Sequence, residues 1–171
     1  MNDKTPAYDH LEPYRVALKL EEDGKAFFVE AAKKTTSKFA RQTFEFLAAE
    51  EDRHIATIRD FFASVTRGDE SQLVDVGESD AEEKLVSFNE TLARLEKADQ
   101  PIGSDREAYE FAIKFENGAE EFYEEKLAEA THPRVKKFYK WLIAEEKMHA
   151  RLLKSCLKFV DDPAEWFRMH R

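Results

Sequence analysis

The stretch LIAEEKMHARLL, from Leu142 to Leu153, has the spacing of an amphipathic helix, but charged side chains interrupt its apolar stripe. Glu146 and His149 lie at helical spacing from each other and from the flanking leucines, so they share the leucines' face. Burial of an unpaired carboxylate and imidazole is costly. The sequence therefore predicts a helix that faces the protein core and carries a polar function there.

The composition favours one all-α domain over residues 1–171. Only five Gly and five Pro occur in 171 residues, which leaves little of the turn chemistry that sheets require. The chain is 42% hydrophobic and contains 14 Phe, enough to fill one core. A net charge of -9 without a dense basic block argues against a nucleic-acid partner.

Neither a leader nor a membrane helix is evident in the sequence. The segment MNDKTPAYDH lacks the apolar centre of a signal peptide, and no run approaches the roughly 18 apolar residues of a membrane span. We therefore expect a cytoplasmic protein without a membrane partner. Cys156, the only cysteine, cannot form an internal disulfide, and its heptad spacing from His149 predicts a buried, small apolar side chain.

Apolar periodicity predicts four long helices and one short helix. S-x-x-E capping boxes at 79–82 and 104–107 mark two helix starts, and Pro133 suits a first helical turn. Nearly forty residues separate the second and third long helices, which predicts a crossover between two helical hairpins. The predicted helices are Leu11–Lys34, Ser37–Val65, Ala81–Ala98, Asp105–Ala130 and Pro133–Val160.

The two hairpins repeat one another in sequence. A shift of 95 residues aligns 14–59 with 109–154 without a gap, and 12 of the 46 positions are identical. We infer two pseudo-repeats, about 11–65 and 105–160. The repeated polar residues are Glu21 with Glu116, Glu51 with Glu146, and His54 with His149.

The position of each turn predicts that these polar residues meet. Glu21 and Glu51 are 30 residues apart, as are Glu116 and Glu146, and turn-forming residues lie midway between the two members of each pair. Each glutamate is thus about 15 residues, or roughly 22 Å, from its turn, so antiparallel partners lie at equal height. If the crossover packs the hairpins face to face, one layer contains Glu21, Glu51, His54, Glu116, Glu146 and His149.

Such a layer favours a pair of metal ions. Four buried carboxylates with two neutral imidazoles carry a charge of about -4, which desolvation and mutual repulsion make unfavourable. Two divalent cations would balance it, and oxygen and imidazole ligands suit iron, manganese or zinc. One Glu from each of two helices, with a Glu-x-x-His pair from each of the other two, is the pattern of ferritin-like di-metal proteins. The alternative is a metal-free bundle with a buried polar network.

The order of the segments ALKLEEDGKAFF, FLAAEEDRH, FAIKFENGAEEFY and LIAEEKMH resembles the rubrerythrin family of the ferritin-like superfamily, from about Tyr14 to Leu157. The resemblance implies a ferritin-like antiparallel four-helix bundle and two iron ions held by the six polar residues. It also implies oxidation of the metal centre by peroxide or dioxygen, and a homodimer. The sequence lacks the cysteines of the rubredoxin-like domain of full-length rubrerythrins, so we expect an external electron donor such as a rubredoxin-type protein.

The sequence departs from the family at Ala119, where rubrerythrins have an extra Glu three residues after the ligand that corresponds to Glu116. The neighbouring Glu120 is predicted to face elsewhere. The six-residue set then resembles bacterioferritin-type ferroxidase centres. The small side chains at Gly24 and Ala119 predict space beside the metals for a small oxidant.

Other polar and aromatic residues have less specific interpretations. Tyr14, Tyr109 and Tyr123 lie one heptad from predicted ligands, where each is either ordinary core or a hydrogen-bond donor or electron relay. Trp166 and Phe167 follow the last long helix and are predicted to dock on the same subunit. The histidines predicted to face solvent are His10, His132 and His170.

The leading functional hypothesis is a di-iron carboxylate oxidoreductase of peroxidase or ferroxidase type. In it Glu21, Glu51, Glu116 and Glu146 act through the metals, and Tyr123 assists. The alternatives are an iron-binding, buffering or storage protein, and a metal-free helical interaction module.

Overall fold

The structure, a computed structural model, describes residues 11–67, 73–93 and 105–169. Six α-helices and no strands occur within these ranges, which confirms the predicted all-α class. The helices are α1 (Glu12–Lys34), α2 (Lys38–Thr66), α3 (Ala81–Ala93), α4 (Arg106–Glu129), α5 (Pro133–Asp161) and α6 (Pro163–Met169).

Side-chain caps explain where two of the long helices, α2 and α5, begin. Ser37 precedes α2, and its Oγ accepts a hydrogen bond from a backbone N–H of the first turn at 3.2 Å. Pro133 opens α5, and Nδ1 of His132 before it accepts from the Arg134 N–H at 3.1 Å. His132 therefore caps α5 while its side chain stays partly exposed to solvent. His10 and His170 lie outside the described residues.

The two helical hairpins pack face to face. α1 packs along α2, α4 packs along α5, and the hairpins meet through α1 with α4 and α2 with α5. Facing helices run antiparallel, since Phe39 packs on Phe159 with ring centroids 4.5 Å apart, and Phe61 packs on Phe138 at 4.2 Å. This is the predicted antiparallel four-helix bundle, and it places the midpoints of all four long helices at one level.

Two apolar clusters fill the bundle, one on each side of that level. One cluster contains Phe28, Phe44 and Tyr109, and the other contains Tyr14 and Phe61. All five side chains are at most 6% exposed. The polar layer that the sequence predicts falls between the two clusters, so protein rather than bulk water surrounds it.

The crossover contains the short helix α3, which packs against α5. Ser79 precedes this helix, and its Oγ accepts a hydrogen bond from the Ala81 N–H at 3.1 Å. The predicted helix extends to Ala98, but residues 94–98 lie outside the described part of the chain. Ser104, which begins the second capping box, also lies outside it.

The carboxyl-terminal tail folds back on its own subunit through α6, a helix that the sequence analysis did not predict. Trp166 is buried, and its indole N–H donates to Ser155 Oγ at 2.9 Å. The Trp166 and Phe167 rings lie 5.0 Å and 5.3 Å from the Phe159 ring, as centroid distances. Docking on the same subunit is thus confirmed for both aromatic residues.

The structure also bears on the predicted burial of Cys156 and on the predicted absence of a membrane helix. Cys156 is fully buried with its Sγ 3.6 Å from Thr43 Oγ1, which confirms the predicted buried role. Within the described ranges, no helix combines the length and apolar character needed to cross a membrane.

Candidate metal centre

The four long helices bring the six predicted polar side chains into one buried layer. α1 and α4 each contribute one glutamate, while α2 and α5 each contribute a Glu-x-x-His pair from a single helix face. Each of the six residues is at most 2% exposed. The residues are Glu21 from α1, Glu51 and His54 from α2, Glu116 from α4, and Glu146 and His149 from α5.

Nδ1 of His54 faces three carboxylates. It lies 2.9 Å from Glu21 Oε2, 3.3 Å from Glu51 Oε2 and 3.4 Å from Glu146 Oε1. Glu21 comes from α1, so this side of the layer combines residues of three helices. The contacts define one half of the cluster around His54.

Nδ1 of His149 faces the other half in the same way. It lies 3.4 Å from Glu51 Oε1, 3.5 Å from Glu116 Oε1 and 3.7 Å from Glu146 Oε2. Glu51 and Glu146 therefore approach both imidazoles, each with one oxygen on either side. Glu21 and Glu116 lie at the two ends of the cluster, since each approaches a single imidazole in these contacts.

The centre of the layer is compact enough to hold metal ions. Ligand atoms of Glu51, His54, Glu146 and His149 all lie within 4.8 Å of one another. The two imidazole rings lie nearly parallel, with centroids 5.0 Å apart and planes inclined by 14°. Two nitrogens and two bridging carboxylates so arranged can hold a pair of ions that share the carboxylates.

Buried polar atoms in this layer lack hydrogen-bond partners within the described residues. Both oxygens of Glu116, both ring nitrogens of His149, one oxygen of Glu51 and one oxygen of Glu146 are such atoms. A buried acceptor or donor left unpaired costs about 1–3 kcal/mol. Coordination of cations would satisfy carboxylate oxygens and imidazole nitrogens together, so the side chains fit a di-metal group.

The electrostatics of the metal-free cluster also favour bound cations. Burial and the neighbouring Glu21 charge raise the pKa of Glu51 to about 8. Burial, with the charges of Glu21 and Glu116, also raises the pKa of Glu146 well above its usual range. Burial opposes ionisation of Glu21 too, but hydrogen bonds from Glu51 and His54 lower its pKa to about 2. Without cations, the cluster therefore retains protons that metal ions would displace.

Tyr123 is the one predicted tyrosine that reaches the layer in the described contacts. Its hydroxyl donates a hydrogen bond to Glu21 Oε1, and burial raises the pKa of the phenol. Tyr14 and Tyr109 lie in the two apolar clusters. The hydrogen-bonding interpretation therefore applies to Tyr123, and the core interpretation to the other two.

The expectation of open space beside the layer is wrong at Gly24. A Cβ atom there would lie 3.1 Å from Phe115 Cε1 and 3.4 Å from Glu51 Oε1, so other side chains fill the room that glycine leaves. Ala119 is 2% exposed and packs within an apolar cluster. Glu120 faces away, with a carboxylate oxygen 3.3 Å from Lys147 Nζ, as predicted.

Glu145 is a buried residue of this region that the sequence analysis missed. Its carboxylate is fully buried, and its Oε2 lies 3.5 Å from His54 Nε2, on the opposite side of the ring from the cluster. Burial opposes its ionisation, but hydrogen bonds from His54 and Ser79 outweigh this effect and lower its pKa. The paired glutamates in AAEEDRH and IAEEKMH were the available signal, but the first of each pair resembles an outward-facing helix residue.

Comparison with known proteins agrees with the geometry. The family model described as Rubrerythrin matches residues 14–157. No curated protein and no solved structure gives a significant match to the chain.

Proposed function

The chain belongs to the rubrerythrin family, and on that basis we propose that its buried layer is a di-iron centre that reduces peroxide or dioxygen. One observation carries the proposal. Glu51 and Glu146 each direct one oxygen toward His54 and the other toward His149. Carboxylates in that position could each be shared by two ions, whereas an ordinary buried network has no need of two such groups.

Each half of the layer would hold one ion. Glu21 and His54 would bind the first ion, and Glu116 and His149 the second. Both imidazoles present Nδ1 to the carboxylates, so Nδ1 would be the ligating nitrogen on each ring. The Tyr123 hydroxyl orients the Glu21 carboxylate through its hydrogen bond.

Bound iron would supply the redox chemistry: two Fe(II) ions hold the two electrons that, together with two protons, reduce one hydrogen peroxide to two waters. The protein supplies a site that is shielded from bulk water. Apolar clusters on both sides of the layer keep bulk water from the reaction. An external one-electron donor, such as a rubredoxin-type protein, would return the electrons one at a time.

Rapid mixing of the Fe(II)-loaded protein with hydrogen peroxide tests this proposal. We expect fast oxidation at a stoichiometry of two Fe(II) per peroxide, followed through iron absorbance. Glu120→Gln provides a matched control on α4, since Glu120 lies one turn beyond Glu116 but pairs with Lys147. Oxidation no faster than that of free Fe(II) would contradict the proposed activity.

Iron handling is the second candidate, and Ala119 favours it. The position where rubrerythrins have an extra glutamate lies among apolar side chains here, so six residues remain for two ions. Such a set suits ferroxidase or iron-buffering activity. Iron uptake well beyond two ions per chain would favour storage, while uptake that stops at two favours the oxidoreductase.

A further inference from the structure

The two imidazoles of the layer are supported differently on their outward sides. Nε2 of His54 lies 3.5 Å from Glu145 Oε2. Nε2 of His149 has no hydrogen-bond partner within the described residues. The corresponding residue of the first repeat, Glu50, is only partly buried and accepts a hydrogen bond from Lys84 Nζ at 2.6 Å.

We propose that Glu145 is a positioning residue for His54, and that the crossover holds Glu145 in place through Ser79 and Lys84. The proposal rests on the metal-binding function argued above. It makes the two metal positions inequivalent, because within the described residues His54 has a carboxylate oxygen at hydrogen-bond distance from Nε2 and His149 has none. The crossover segment then contributes to metal affinity although it supplies no ligand.

The direction of the His54 ring supports the role. Because Nδ1 faces Glu21, Glu51 and Glu146, it must lose its proton to bind a metal. The ring proton then resides on Nε2, which needs a buried acceptor. Glu145 Oε2 is that acceptor, and a carboxylate in this position fixes the tautomer and the ring orientation.

The position of Glu145 is itself determined by the crossover. Ser79 Oγ donates to Glu145 Oε1 at 2.7 Å, and Lys84 Nζ donates to Oε2 at 3.0 Å. Arg53 of α2 adds a hydrogen bond to Oε2 at 3.0 Å. Donors on both oxygens leave the carboxylate little freedom to rotate.

Two cations allow the Glu145 carboxylate to remain buried. Arg53 and Lys84 each place a nitrogen 3.0 Å from Glu145 Oε2, and the same two cations also pair with Glu50 and with the half-exposed Asp80. A buried ion whose hydrogen-bonding capacity is filled avoids most of the desolvation cost. The network therefore maintains a negative acceptor behind His54.

The competing explanation is that Glu145 only anchors α3, because the same contacts join the crossover to α5. The two explanations differ in what they predict for metal binding. A pure anchor affects the free energy of unfolding and leaves ion affinities unchanged. A positioning residue changes the affinity of the ion bound by His54, by about 10- to 100-fold for this kind of contact.

Calorimetric titration of the full chain with Co(II) tests the proposal, with Glu145→Gln as the main variant. The glutamine keeps the shape of the side chain but removes its charge, and four donors then compete for one amide oxygen. We expect two ions in both proteins, with one affinity reduced about tenfold in the variant. Lys84→Met should reduce the same affinity by a smaller factor.

Glu82→Gln is the control for the anchoring explanation. It removes an ion pair between α3 and Arg151 of α5, but among the described ion pairs and hydrogen bonds Glu82 contacts neither Glu145 nor an imidazole of the layer. Both affinities should stay at the wild-type value. Equal losses in the Glu82 and Glu145 variants, or unchanged affinities in Glu145→Gln, would overturn the positioning role.

Proton NMR of the Co(II)-loaded protein gives a second readout. The His54 Nε2–H resonance should exchange with solvent faster in Glu145→Gln than in the wild type, since its acceptor is weakened. An unchanged exchange rate would contradict the proposal. Failure of the wild-type protein to bind Co(II) would instead reject the proposed metal centre itself.

Discussion

The hydroxyl of Tyr123 on α4 donates a hydrogen bond to the carboxylate of Glu21 on α1. The equivalent position of the first repeat is Phe28, which has no hydroxyl. Correspondingly, both oxygens of Glu116 lack hydrogen-bond partners within the described residues. The sequence repeat thus preserves the polar residues of the layer, while the contacts around them differ between the two halves.

Tyr123→Phe should lower the free energy of unfolding of the metal-free protein by about 1–3 kcal/mol, because it removes a buried hydrogen bond to a carboxylate. Denaturant unfolding followed by tryptophan fluorescence would measure the change. Tyr109→Phe is the comparison, since Tyr109 is equally buried but lies in an apolar cluster and does not bond to a carboxylate of the layer in the described contacts. A loss as large in Tyr109→Phe would mean that the Glu21 contact is not responsible.

Glu51→Gln should weaken metal binding at both positions, because Glu51 directs one oxygen toward each half of the layer. We expect at least about a tenfold loss of affinity for one or both ions, measured by calorimetric titration. Asp52→Asn alters the adjacent residue on α2, which pairs with Lys25 at the surface. The bridging assignment fails if Glu51→Gln binds two ions as tightly as Asp52→Asn.

The metal-free protein should lose stability as the pH rises from about 4.5 to 8. Burial raises the pKa of Glu51 from 4.5 to about 8, so in this window the folded chain holds a proton that the unfolded chain releases. The lowered pKa of Glu21 acts in the opposite sense, but only below its usual value of 4.5. Chemical unfolding at a series of pH values would measure the slope.

Metal loading should reverse this dependence, because bound cations replace the retained protons. The increase in Tm on addition of metal should therefore be larger at about pH 8 than at about pH 5.5. An increase in Tm that is independent of pH would contradict proton displacement from the buried carboxylates.

Much of the fold and the membership of the polar layer could be predicted because both depend on periodicity. Helix rise and the distance of each glutamate from its turn determine axial height, so Glu21 and Glu51 had to lie at one level once the hairpin formed. The heptad rows determined which side chains face inward. Whether the six side chains act as metal ligands stays a prediction.

Contacts across the bundle could not be predicted in this way, because they depend on how side chains from distant segments fit together. Glu145 is adjacent in sequence to the predicted ligand Glu146, but its own burial depends on α3, which packs on α5 and brings Lys84 to its carboxylate. The absence of a side chain at Gly24 suggested a cavity, but Phe115 and Glu51 fill that space. Only the three-dimensional packing decides between a cavity and a close contact.

Anomalous diffraction at the iron, manganese and zinc edges, from crystals of protein purified without chelators, tests the central claim most directly. The account predicts two anomalous peaks per chain, one between Glu21 and His54 and the other between Glu116 and His149, with iron as the scatterer. An ordered layer of the same six side chains without any anomalous peak would contradict it.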